Sequence, residues 1–328
     1  MNYSNFKNSY DFAKRIVQFS KLPKKFEHAK LPLPHVIQIQ TQSTCNGRCP
    51  FCPYVYTSKI LPQGKMKWDL YKKIVDESLF FPTLKIFTLM LQNEPLMDKD
   101  IFRAAEYAKT KKRKDISVNI VSNGYFMNEE VIKRLIASGI DHLIISLNAF
   151  YKETYEALMP GFKFRVIMDN IDRLLSSDNK SMNISIRFLE TSRNKEEIAQ
   201  ALSYWKTRGV RTELFSFLTN RANTVDIAEF KVPKENIFSK NRLKHAFINF
   251  FTKCCNLPFF QMNILFNGDV LICCNDWGRS PIMGNATRKS LEAIWYSSKF
   301  NRIREHIISN NYQAINPCRN CSTPEYYQ

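Results

Sequence analysis

The chain has 328 residues, 44% of them hydrophobic, enough for one large domain or a large and a small one with real cores. Lys and Arg number 48 against 30 Asp and Glu, a formal net charge of +18. That excess favours an acidic partner (a phosphorylated or nucleotide-linked substrate, a nucleic acid, an anionic surface), or else marks solvated surface lysines. No apolar run approaches ~18 residues, and the N-terminus lacks the apolar centre of a signal peptide, so no membrane span and a cytoplasmic location are expected.

Residues 1–35 read as a helical extension, with Phe12, Ile16, Val17 and Phe19 on one face and Pro23, Pro32 and Pro34 breaking the stretch after it. From Val36 strands and helices alternate. Strands are predicted at Val36–Thr41, Leu84–Met90, Ile116–Val121, His142–Leu147, Met182–Leu189 and Val210–Phe217. Helices are predicted between them, at Asp69–Phe80, Lys99–Lys112, Asn128–Ser138, Arg165–Leu175 and Lys195–Arg208. Asp69, Asn128 and Asn194 suit N-caps or first turns, and Gly139 and Gly209 suit helix C-termini. The basic run Lys109 to Lys114 ends a helix, where cations suit the dipole, and lacks the interleaved aromatics of a nucleic-acid face. Six such repeats predict an α/β fold with a parallel sheet, open or curled into a partial (β/α)6 TIM-like barrel. In either form ligands gather at the C-terminal ends of the strands.

After residue 220 the alternation stops. A loop over 225–240, a helix at Arg242–Thr252, a hairpin of Met262–Phe266 and Val270–Cys274 around Asn267-Gly268, and a helix at Ser290–Ser309 are predicted. The expected divisions are an extension (1–35), a barrel domain (36–220), a linker (221–253) and a small C-terminal α+β iron–sulfur domain (254–328).

The nine cysteines are bunched: three within 45–52, four within 254–274, and Cys318 and Cys321. Such clustering reads as metal ligation rather than disulfide bonding. Cys45-x3-Cys49-x2-Cys52 leaves the C-terminal end of the first strand. Three thiolates hold three irons of a four-iron cluster and leave the fourth open to a small molecule. Cys255, Cys273, Cys318 and Cys321 are expected to form a closed four-ligand centre, which suits zinc or a cluster, with Cys254 and Cys274 structural or alternative ligands.

With Phe51 just before its third cysteine, that loop resembles the signature of the radical S-adenosylmethionine (radical SAM) enzymes. Gln92-Asn93-Glu94-Pro95 resembles the family motif that receives the methionine amino group. Ser122-Asn123-Gly124 resembles its ribose-contacting position, and Ser146-Leu147-Asn148-Ala149 its motif after the fourth strand. Arg187 is then the candidate for the methionine carboxylate, with Arg165 the alternative. The tail, from Gly268-x4-Cys273 through Gly284-Asn285 to Cys318-x2-Cys321, resembles the auxiliary-cluster extension called SPASM or, in a shorter form that fits better, twitch. Asn220-Arg221-Ala222-Asn223 resembles a segment of twitch-type aminocyclitol dehydrogenases, which implies that Arg221 faces substrate. Because arginine stays protonated, it would anchor by hydrogen bonds rather than act as a base.

The resemblance implies SAM, a SAM-binding [4Fe-4S] cluster on Cys45, Cys49 and Cys52, a second, auxiliary [4Fe-4S] cluster, and a low-potential electron donor such as flavodoxin or ferredoxin. It implies reductive cleavage of SAM to a 5′-deoxyadenosyl radical that abstracts a substrate hydrogen. The expected outcome is oxidation of a sugar or aminocyclitol alcohol with the auxiliary cluster as electron acceptor; epimerisation and dehydration start from the same radical. A precursor peptide is the alternative substrate, although little chain precedes the first strand to form a leader-binding module. A basic, non-catalytic metal protein that binds nucleic acid is a third reading, against which the three-thiol loop speaks. His142, Trp277 and Trp295 read as packing.

Overall fold

The structure, a computed structural model, describes residues 31–179, 181–216, 218–233 and 254–323. The predicted N-terminal helix and the helix at 242–252 lie outside the described residues. Nine strands form one sheet among those residues: β1 Val36–Ile39, β2 Ile86–Thr88, β3 Ser117–Ser122, β4 His142–Ser146, β5 Asn183–Leu189, β6 Arg211–Phe215, β7 Gln261–Ile264, β8 Asp269–Leu271 and β9 Gly284–Asn285. The helices are α1 Tyr54–Thr57, α2 Trp68–Ser78, α3 Ile101–Lys111, α4 Glu129–Ala137, α5 Lys152–Leu158, α6 Phe164–Ser176, α7 Ile198–Thr207, α8 Leu257–Phe260, α9 Leu291–Trp295, α10 Ser298–Ile308 and α11 Asn316–Arg319.

The strand order is β6-β5-β4-β3-β2-β1-β7-β8-β9, and the sheet is not closed. β1 to β6 are parallel neighbours, as the alternation of strands and helices predicts. The C-terminal hairpin joins the other edge of β1. β7 runs parallel to β1, with Gln38 opposite Asn263, and β8 and β9 come next, antiparallel. β1 is therefore an interior strand, and the loop that leaves it lies between the parallel strands and the C-terminal segment. Ile37, Ile39, Val118, Ile120, Leu143, Ile145, Ile186 and Phe188 are fully buried, as strands covered by packed helices require.

Local chemistry explains several boundaries. The Asn128 side chain accepts from the Val131 N–H at 2.9 Å and starts α4. Asp69 lies in the first turn of α2, and Gly139 and Gly209 come after α4 and α7 in left-handed conformations. Asn194, in contrast, caps no helix: it is buried, its Oδ1 accepts from the Thr191 N–H, and its amide donates to the Asn148 and Leu189 carbonyls. The single helix predicted over Ser290–Ser309 is two, because Ser290 and Ser297 each accept from an amide three residues on and start α9 and α10 separately. The strand-helix pattern predicts no helix at α5, which the fold adds between β4 and α6.

Three residues of the basic run are engaged by the fold, while Lys111 and Lys114 are exposed. Lys109 and Lys112 pair with Asp141, and Arg113 donates to the carbonyls of Leu79, Phe81 and Leu84. Arg113 and Lys85 also share Asp115. These contacts favour a structural use of the run over a nucleic-acid face.

Gly124 has φ +72°. A Cβ there would lie 2.6 Å from Ile167 Cδ1 and 2.9 Å from Met127 Cε. Gly124→Ala therefore combines a left-handed backbone with overpacking and is expected to destabilise the fold by about 1–3 kcal/mol. Urea denaturation checks this; an unchanged midpoint would contradict it.

Candidate active site

The thiol loop is fastened to the turn after β2 by buried glutamines. Gln40, fully buried, donates to the Leu91 carbonyl at 2.9 Å, and Gln42 donates to the carbonyls of Thr44 and Glu94, each at 2.9 Å. The Glu94 N–H returns to the Thr44 carbonyl at 2.9 Å. Sequence reasoning missed both glutamines, because neither carries a signature as a single residue.

Cys45, Cys49 and Cys52 are free thiols. The sulfurs of Cys45 and Cys49 close over Gly47: a Cβ built there would lie 3.4 Å from one and 3.7 Å from the other. The Gly47 N–H points at Cys45 Sγ at 3.3 Å, and Cys49 Sγ lies 3.2 Å from Met159 Sδ. Burial, with Glu94 and Cys52 nearby, pushes the Cys45 thiol up to about 12. Burial and the other two thiols raise Cys49, while Cys52 is raised by burial and partly relieved by the charge of Arg221. Without a cation such a trio stays protonated; bound iron supplies the charge that makes thiolates. Phe51 packs edge-on against Phe230, ring centres 5.9 Å apart.

Glu94 is buried at 3% exposure, and its carboxylate accepts from the Asn123 N–H (2.8 Å), the Ser122 hydroxyl (2.6 Å) and the Leu96 N–H (3.0 Å). Burial holds this carboxyl at about 7 against those three hydrogen bonds, which pull it down. Asn123 also donates to Asn46 Oδ1 at 2.8 Å, so the β3 end, Glu94 and the thiol loop form one connected unit. Asn93 Oδ1 accepts from the Leu91 N–H, whereas its Nδ2 is buried without a partner among the described residues, a donor left for a ligand.

Other predicted residues are engaged elsewhere. Gln92, at φ +56°, donates to the Asp276 carbonyl at 3.0 Å and so links the β2 turn to the C-terminal segment. Asn148, at φ +62°, accepts from the Leu189 N–H at 3.1 Å, and Ser146 stands in register with Arg187. Arg187 pairs with Glu213 at 2.8 Å and covers the Phe215 ring. The Arg165 side chain is 92% exposed on α6 and faces Asp169.

In the C-terminal segment, Cys255, Cys273, Cys318 and Cys321 line one cavity with Ala222, Tyr312 and Thr323. Spacing alone groups these four, and the fold brings them together. Burial raises Cys255 and Cys273, each with Cys318 among the charges that add to it, and lifts Cys318 to about 12. The Cys255 N–H donates to the Tyr312 hydroxyl at 3.0 Å. Cys274 lies outside the cavity lining, towards Arg221 and Gln261. Among the described residues no set of three or more His, Cys, Asp or Glu side chains converges tightly enough for one metal ion. A cubane sets each thiolate on a different iron, and three or four thiols are donor sets of the kind such a cluster takes.

Arg221 is held against the tail. Its Nη1 donates to Asn275 Oδ1 at 2.7 Å, and Asn275 Nδ2 donates to Thr323 Oγ1 at 3.2 Å. Asn220 is clasped to the tail, accepting from the Ser322 N–H at 3.0 Å and donating to the Asn320 carbonyl at 2.7 Å.

A parallel α/β sheet with three thiols at the end of an interior strand, and four more in a cavity beyond its hairpin, defines an iron–sulfur protein with an open-barrel scaffold. Residues 39–204 match the model of the radical SAM superfamily, and 254–322 match SPASM, an iron–sulfur cluster-binding domain. The chain belongs to the radical SAM superfamily. Its cofactors are SAM, a SAM-binding [4Fe-4S] cluster and an auxiliary cluster.

Among curated proteins it is 28% identical over 180 residues to an AdoMet-dependent heme synthase of Methanosarcina barkeri, a match that covers 54% of this chain and about half (48%) of that one. It is 23% identical to the S-adenosyl-L-methionine-dependent 2-deoxy-scyllo-inosamine dehydrogenase of Niallia circulans, over 88% of this chain and 92% of that one. Two solved structures share the fold: BtrN in complex with AdoMet and 2-DOIA (TM-score 0.62, 18% identity, 90% and 96% of the two chains) and Streptococcus suis SuiB bound to precursor peptide SuiA (0.65, 17%, 91% and 72%). No helix among the described residues is long and apolar enough to cross a membrane.

Proposed function

We propose that this radical SAM enzyme oxidises a secondary alcohol of a small polyhydroxy or amino-polyhydroxy molecule to a ketone. The observation that carries the reading is the four-thiol cavity of Cys255, Cys273, Cys318 and Cys321, tied through Thr323 and Asn275 to the Arg221 turn. Oxidation removes two electrons, and hydrogen-atom abstraction accounts for only one of them. A redox-neutral reaction has no need of a second electron acceptor. The near full-length likeness to a dehydrogenase adds to this reading.

When bound, the cluster held by Cys45, Cys49 and Cys52 and its SAM supply the radical that takes a hydrogen atom from substrate. Glu94 and the unpartnered Asn93 amide are placed to receive the methionine end, and Asn123 and Ser122 the ribose. Arg221 is the proposed substrate anchor, offering the guanidinium donors that its Asn275 bond leaves over. A carbon radical in this site would require water to be excluded when substrate is bound. An acidic low-potential protein is the proposed electron donor to this basic chain.

Glu94 makes the reading pH-dependent. Its carboxyl is raised to about 7, so the carboxylate that accepts from the SAM amino group prevails only above that pH. SAM affinity is expected to fall as pH drops below about 7, by up to about tenfold per unit, the limit for one titrating group. Glu94→Gln should bind SAM weakly and lose the share of the slope that Glu94 contributes, keeping the share from the SAM amine, which must shed its proton to coordinate iron. Anaerobic equilibrium dialysis across neutral pH measures both, and a flat wild-type profile would contradict the assignment.

The substrate class is tested by anaerobic deoxyadenosine assays against cyclitols, amino sugars, nucleotide sugars and peptides. The reading predicts one ketone product per deoxyadenosine with a polyol. Stimulation by peptides alone would replace it with a peptide-modifying activity.

A further inference from the structure

We propose that Arg279, in the C-terminal segment, is a positioning residue for SAM: it grips Gln92 and so fixes the turn that presents Asn93 and Glu94. This rests on the reading that those two residues receive the methionine end of SAM.

The grip joins two strained residues. Gln92 has φ +56° and Arg279 φ +51°, both non-glycine positions in the left-handed region. Such conformations persist only where the surroundings over-determine them. Here the two hold each other: Arg279 Nε donates to Gln92 Oε1 at 3.4 Å. Gln92 Nε2 donates to the Asp276 carbonyl at 3.0 Å, so this buried amide is used at both ends. Asp276 draws its own loop closed, its Oδ1 accepting from the Ser280 N–H at 3.4 Å.

The same guanidinium reaches behind the thiol loop, where its Nη1 donates to the Pro62 carbonyl at 3.3 Å. Gly64, two residues on, donates to Ser43 Oγ at 2.8 Å, and its carbonyl accepts from the Ser43 N–H at 2.9 Å. Ser43 lies just before Cys45. Apolar packing seals the junction: Leu91 clusters with Leu265 and Leu271, with Ile282 and Cys274 against them. Gln40 and Gln42 hold the turn after β2 from the barrel side, and Gln92 holds it from the tail. Between these two anchorages stand the unpartnered Asn93 amide and the Glu94 carboxylate. Partners of this kind orient the groups that meet a ligand, and releasing one lets the geometry drift.

The test uses the anaerobically reconstituted full chain, with equilibrium dialysis of SAM and rates of deoxyadenosine formation under reductant. Arg279→Gln is expected to weaken SAM binding and raise its KM by about tenfold, the lower end for loss of an outer partner of a metal site. Its rate at saturating SAM and its iron content should stay near wild type, a split that general damage to the fold would not give. Gln92→Met, of similar length without the amide, should weaken SAM at least as much. Adding Arg279→Gln to it should weaken SAM no further, because both changes break one contact. Unchanged SAM affinity in Arg279→Gln, a lowered saturated rate at unchanged KM, or effects that multiply in the double variant would each overturn the proposal. If Arg279→Gln loads no cluster, the KM of Gln92→Met decides alone. Glu94→Gln, measured beside them, separates the failures. Unchanged SAM affinity there removes the underlying reading; weak binding there with wild-type affinity in Arg279→Gln removes this inference alone.

Discussion

Cys49→Ala protein, reconstituted without oxygen, is expected to form no 5′-deoxyadenosine from SAM and reductant, while it keeps the iron of the tail site. Burial and the charges of Cys52 and Cys45 raise the Cys49 thiol, and its sulfur lies 3.2 Å from Met159 Sδ. Removing it leaves two thiols, too few to hold a cubane with one open corner. Iron should fall from about eight per chain to about four. Loss of activity should be complete rather than graded, because no other thiol lies in that loop. HPLC of the quenched reaction gives the answer, and residual deoxyadenosine at a substantial fraction of wild type would remove Cys49 from the ligand set.

Cys318→Ala is expected to separate the two halves of the reaction. In the proposed reading SAM is held by the loop, Glu94 and Asn123, none of which lines the cavity of Cys318, so affinity for SAM should stay near wild type. Ketone formation should drop by at least about tenfold, the lower end of what the loss of even an outer partner of a metal site costs. Deoxyadenosine would then accumulate without matching product. Normal coupled turnover in this variant would mean that the tail centre accepts no electron from substrate. Cys318 and Cys321 sit on α11 and just after it, held by the Asn220 clasp, so a general loss of fold is not expected from a single thiol in the cavity wall.

Much of this arrangement is legible in the chain. Apolar runs bounded by Gly, Asn and Pro mark the strands; β1 to β8 fall within the predicted ones or extend them by a residue, as Ser122 does for β3, whereas β9 at Gly284–Asn285 has no predicted counterpart. Spacing marks the two thiol groups, since ligand chemistry leaves few ways to pair three and four cysteines. What spacing does not carry is topology. That β7 pairs with β1 depends on which edge of β1 stays free after β2 takes the other, and no local pattern records it. The break between α9 and α10 is written in Ser290 and Ser297 but masked by a continuous helical periodicity. Gln40, Gln42 and Asn46 carry no signature as single residues, yet they bind the thiol loop to Glu94 and Asn123. Arg187 reads in sequence as a candidate for the methionine carboxylate, and the fold pairs it with Glu213 because β6 lies beside β5.

The central claim is that the Cys45, Cys49 and Cys52 site leaves one iron open to SAM. The direct measurement is electron–nuclear double resonance of the reduced protein with SAM labelled at its amino nitrogen. A strong nitrogen coupling to the cluster that vanishes in Cys49→Ala is the predicted result. Reduced cluster with excess SAM and no such coupling, or a cluster nitrogen signal that comes from a protein side chain, would contradict it.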